Sequence, residues 1–149
     1  MFNLRNVLLT LHILLAIVVI GWLVMQAMLV PGMIRRGPAA AGWVRGSAEF
    51  AKKIGPMSTS VFLIGIWLVL RDGHDGIDFS DKWVGIAMVL FVITAVIGAV
   101  FIGKAEHAAA DKLDAGQPAL EEAKKIAMLG GISTLMLVVI VFLMVAKPT

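Results

Sequence analysis

Four long apolar runs, none holding a charged residue, constrain this chain more than anything else in it. They cover about residues 7–30, 54–70, 83–103 and 126–146. A bilayer's hydrocarbon core is about 30 Å thick and a helix rises about 1.5 Å per residue, so about 20 apolar residues span it. Each run is a candidate transmembrane helix, and together they occupy more than half of the 149 residues. The expected fold is all-α: a four-helix membrane bundle forming a single domain over residues 1–149.

The chain is 60% hydrophobic with a mean hydropathy of +0.94, whereas a soluble domain needs more polar surface. Run one, preceded by Arg5, is too long for a signal-peptide core and no small-residue cleavage site ends it, so it reads as a retained helix. The chain has no cysteine, which removes thiol–disulfide chemistry and thiolate metal sites.

The loops orient the bundle. Arg35, Arg36, Arg45, Lys52 and Lys53 lie in loop one, and Lys104, Lys112, Lys124 and Lys125 in loop three. Arg5, Arg71, Lys82 and Lys147 are left for the other side. Basic residues in short loops favour the cytoplasm, so loops one and three are expected there, with both termini outside. The expected location is a bacterial cell membrane.

Pro31 and Pro38 are expected to end the first helix. Trp43, Ser47, Phe50 and Ile54 then share one helical face, which predicts a short separate helix lying on the inner membrane surface. Trp43, Arg35, Arg36, Lys52 and Lys53 are its candidate lipid-interface residues, the bases facing anionic headgroups; a docking surface for a partner is the alternative. In loop two, Asp72, Asp75, Asp78, Asp81 and His74 could meet a divalent cation. The twelfth position from Asp72 is Trp83, however, where a calcium loop needs Glu. Loop three continues helix three to Leu113, breaks at Asp114-Ala-Gly-Gln117 and restarts after Pro118 with Glu121 and Glu122. The third and fourth helices are thus expected to project beyond the membrane as a hairpin.

Within the apolar runs, hydroxyls can bond their own backbone, which leaves His12 and Gln26 as the exceptions. An ionisable residue at such depth is a functional hypothesis by default. His12 is the candidate cofactor-binding residue, as a haem or copper ligand. A structural imidazole bonded to a hydroxyl or carbonyl is the alternative. His74, on the same side, could approach it as a second ligand, whereas His107 lies at the opposite side. No Asp, Glu, Lys or Arg is expected in the buried interior, which argues against a proton-coupled transporter. Ala95, Gly98, Ala99, Gly103 and Gly131 are the candidate packing and interface residues, because small side chains let membrane helices approach closely.

The segment from Leu8 to Gly21, with His12 early in helix one, the basic pair Arg35-Arg36 and the close Leu143-Met-Val-Ala-Lys-Pro148 carry a resemblance over most of the chain. It resembles an uncharacterised four-helix family of predicted integral membrane proteins, frequent in actinobacteria. More distantly it is similar to copper-resistance D-type proteins and to the membrane protoporphyrinogen oxidase, which binds haem through a helix-one His. That similarity implies haem binding at His12.

A chain rich in packing surface and poor in catalytic groups is expected to be non-enzymatic and free of cofactor. It reads first as an accessory or scaffold subunit of a larger membrane complex, plausibly respiratory, associating with other subunits or with itself and not with nucleic acid. A haem- or copper-handling redox protein using His12 is the alternative, and a small transporter the least favoured reading.

Overall fold

The computed structural model describes residues 3–71 and 79–147. His74, Asp72, Asp75 and Asp78 lie outside the described residues, so their approach to His12 and their metal reading have no structural account. Among the described residues there is no strand. The elements are α1 (Leu4–Ile34), a 3-10 turn (Pro38–Ala40), α2 (Ala41–Arg71), α3 (Lys82–Val96), a π-helical stretch (Ile97–Ile102), α4 (Gly103–Asp114) and α5 (Leu120–Ala146). Four helical rods are long and apolar enough to cross a membrane, the third being α3, the π stretch and α4 end to end.

Two boundaries differ from the sequence expectation. Pro31 does not end α1, which runs on through it to Ile34. A proline withdraws one backbone donor and crowds the turn before it, but the residues after it remain free to stay helical. The break comes at Gly37, whose φ of 84° lies in the left-handed region open to glycine. Likewise the surface helix expected in loop one is not a separate element. It forms the first turns of α2, which continues through Pro56 into the second apolar run. Ala41, Val44, Ser47, Ala48 and Ile54 are the buried residues of this part of α2, while Trp43 and Phe50 are exposed. Arg35, Arg36, Lys52 and Lys53 are exposed too, with Lys52 Nζ donating to Glu49 Oε1 at 2.7 Å.

α1 is flanked by α2 and α5, and α3 lies on the far side of α5. α2 and α3 scarcely touch along the apolar part and are tied together at one end, where α4 packs on α2. We call this the hairpin end, and the opposite one the terminal end. The largest buried cluster lies at the hairpin end and includes Val30, Val44, Ile102, Ala109, Leu113, Ala123 and Ile126. Its alanines let α4 approach α2 and α5 closely. Along the apolar runs, by contrast, Ile17, Val138 and Phe142 point outward, as lipid-facing residues do.

Small residues set the closest helix approach. A Cβ at Gly130 on α5 would lie 2.5 Å from the Ala27 Cβ on α1. Gly98 is buried against Leu23 at 3.4 Å from such a Cβ. Of the other small residues singled out in the sequence, Ala95 and Gly103 are half-buried, and Ala99 and Gly131 are exposed. Within the chain the tight contact of α5 therefore falls one residue away from Gly131, because Gly130 is the one that faces α1.

Polar ties close the hairpin end. Arg45 Nη2 donates to Asp111 at 2.8 Å and to Asp114 at 2.6 Å, joining α2 to α4. These groups are exposed, and solvent screening leaves such pairs little weight in stability. Lys112 donates to Glu122 across the α4–α5 turn, outside the apolar run, and holds that carboxyl below its ordinary pKa. Its contribution is complete above the ordinary carboxylate range and fades as pH falls through the depressed value.

Candidate functional site

The gap between α2 and α3 leaves two cavities, one above the other. The cavity at the terminal end encloses about 480 Å³. It is walled by all four rods, and His12, Gly65, Met88, Phe91 and Met144 are among its lining residues, with Arg5 and Lys147 also on its wall. His12 comes from the second turn of the apolar part of α1. Its ring lies on Gly65 of α2, where an added Cβ would be 3.1 Å from His12 Cε1. Gly65 thus makes the space that the imidazole occupies. His12 Nδ1 is buried and makes no hydrogen bond of full geometric quality, and the backbone of Val61 on α2 is the polar group that interacts with the ring.

The second cavity, toward the hairpin end, is a cleft of about 420 Å³. Trp22, Gln26, Ser58, Phe62, Phe91 and Thr94 are among its lining residues. Phe62 and Phe91 line both cavities and stack on each other, with centroids 5.6 Å apart and planes 11° from parallel. This pair is the wall between the two spaces.

Below the cleft lies a polar group that the sequence reading missed. Glu106 on α4 is 0% exposed, which corrects the expectation that no carboxylate is buried. Glu106 Oε1 accepts from Gln26 Nε2 at 2.8 Å and from Ser47 Oγ at 3.3 Å. Glu106 Oε2 is buried and unpartnered. Three rods meet at this carboxyl, from α1, α2 and α4. The signal for it was present in the sequence: Glu106 shares a helical face with Ala109, Ala110 and Leu113, the apolar stripe of a segment whose other charges point away. Reading that segment only as a polar extension past the membrane hid the stripe.

Among the described residues, no group of three or more His, Asp or Glu could hold a metal ion. His12 and Glu106 are separate sites, at opposite ends of the gap. His107, half-buried on α4, belongs to the hairpin end and cannot join His12.

No curated protein and no solved structure matches the chain. The sequence model of one family, described as predicted integral membrane protein (DUF2269), matches residues 6–148, nearly the whole length. With four apolar rods, a match from the start of the first to the end of the last, and His12 within it, this chain belongs to that family of predicted integral membrane proteins.

Proposed function

We propose that this membrane protein holds a haem in the terminal-end cavity, with His12 as the residue that would ligate it, and has a redox role. The observation that carries the reading is the His12 imidazole on the wall of an apolar cavity of about 480 Å³. Ligand cavities of roughly 300–1,000 Å³ are of ordinary size. The lining suits the group in three respects: an imidazole, the thioethers of Met88 and Met144, and the cations Arg5 and Lys147 for carboxylate substituents. A bound haem would supply one-electron chemistry, tuned by its axial ligand and by burial. The chain's own residues would bind and orient it.

The optical spectrum of the detergent-purified protein tests this reading. A Soret band should appear and should be lost in His12→Leu, with the protein still inserted and folded. A colourless protein that co-purifies with a larger assembly would instead support an accessory subunit, the role that its packing surface suggests.

The orientation belongs to the same proposal. The bases at the hairpin end, Arg35, Arg36, Lys53, Lys104 and Lys125 among them, support placing that end in the cytoplasm of a bacterial cell, against anionic headgroups. Ser80 and Ala115 are exposed at opposite ends. In intact cells an impermeant thiol reagent should label Ser80→Cys and not Ala115→Cys. The reverse pattern would invert the topology. The absence of native cysteine keeps the background low.

A further inference from the structure

The cleft at the hairpin end differs in chemistry from the cavity above it. Its lining holds no Asp, Glu, Lys, Arg or His, so nothing in it calls for a charged ligand. Three aromatic rings, Trp22, Phe62 and Phe91, stand on its walls. Its floor carries Gln26, whose Nε2 is committed to Glu106. With the nitrogen donating to Glu106 at 2.8 Å, the carbonyl oxygen is the acceptor this amide retains. Of the hydroxyls on the lining, Thr59 donates to the Gly55 carbonyl at 3.1 Å and Thr94 to Met136 Sδ at 3.6 Å, while Ser58 adds a further hydroxyl to the wall.

One wall is the π-helical stretch, whose Gly98, Ala99 and Val100 line the cleft. Single π-helical turns inside α-helices recur at functional sites, and here the widened turn coincides with a cavity. α2 and α3 diverge at this depth and the lining is almost wholly apolar, which suits an occupant drawn from lipid better than one drawn from water. A ligand would therefore arrive from the lipid phase. Uncharged, flat and aromatic on one part, and carrying a donor for Gln26, it has the chemistry of a lipid-soluble phenol.

We propose that the cleft between α2 and α3 binds a hydroquinone-type lipid, its ring held among Trp22, Phe62 and Phe91 and its hydroxyl donated to Gln26. Glu106 and Ser47 are positioning residues for this contact: the carboxyl fixes the amide's orientation, and Ser47 helps to fix the carboxyl. An acyl chain lying in the same groove is the competing occupant, and it would have no use for Gln26.

The test uses the full chain in lipid nanodiscs, with decylhydroquinone and its dimethyl ether as probes, each corrected for partition into protein-free nanodiscs. The hydroquinone should bind about tenfold or more tightly than the ether, since the ether cannot donate to a buried acceptor. Gln26→Leu should bring the two probes to the same weak affinity. Ala95→Phe, which fills the half-buried edge of the cleft, should reduce binding of both. Equal binding of the two probes to the parent protein would overturn the proposal and leave an acyl-chain groove. So would undiminished hydroquinone binding by Ala95→Phe. If Gln26→Leu does not fold, the probe comparison and Ala95→Phe decide the matter.

Discussion

Glu106→Ala should be among the most destabilising single changes in this protein. It removes the acceptor shared by Gln26 and Ser47, both nearly inaccessible at 1% and 7% exposure. Each stranded buried group costs about 1–3 kcal/mol, and the lost side-chain volume adds a cavity penalty. Glu106→Gln retains a carbonyl for Gln26 and nearly the same volume, so most of the loss should be spared. Thermal unfolding in one detergent, with parent and both variants side by side, measures the effect. Equal transition temperatures for Glu106→Ala and the parent would show that the three rods are not joined through this carboxyl.

Gly130→Ala is the second large effect. The added Cβ would meet the Ala27 Cβ at 2.5 Å and its Cα at 2.9 Å, and backbone cannot swing aside as the tip of a side chain can. α1 and α5 must separate, at an overpacking cost of about 1–3 kcal/mol or more. That outweighs the roughly 1 kcal/mol that Ala gains over Gly in a helix interior. Gly131 provides the control, since a Cβ there meets nothing within 4 Å. Gly131→Ala should leave stability unchanged or raise it slightly, so that of the two neighbours only Gly130→Ala lowers the unfolding temperature. If both variants behave alike, the close α1–α5 contact is absent in the membrane.

Both effects arise from a bundle that is not closed all round. α5 contacts α1 and α3, and α1 contacts α2, but α2 and α3 diverge. That divergence makes the two cavities, and the stacked Phe62 and Phe91 divide them. The alanine-rich packing at the hairpin end holds α2 against α4 and keeps the open side from spreading. His12 and Gln26, about four turns apart on α1, are brought to different cavities by the same helix.

Much of the architecture is legible in the residues alone. The apolar runs dictate four spans, because a bilayer demands about 20 apolar residues with every backbone group bonded internally. The turn at Asp114-Ala-Gly116-Gln117 and the acids that open α5 are local chemistry, and they produce the hairpin. His12 and Gln26 stand out because polar side chains inside an apolar run are costly and therefore rare. The tertiary structure decided the rest. Whether a proline ends a helix depends on the packing of the next turn, and α1 passes through Pro31 to stop at Gly37. Of two adjacent glycines, only the one facing α1 sets the helix spacing, and the sequence does not carry the helix rotation that chooses it. Glu106 looks like a solvated charge in a polar extension until α1 and α2 bring Gln26 and Ser47 to it. Burial belongs to the assembled helices, since a helix's own pattern shows which residues share a face but not what covers that face.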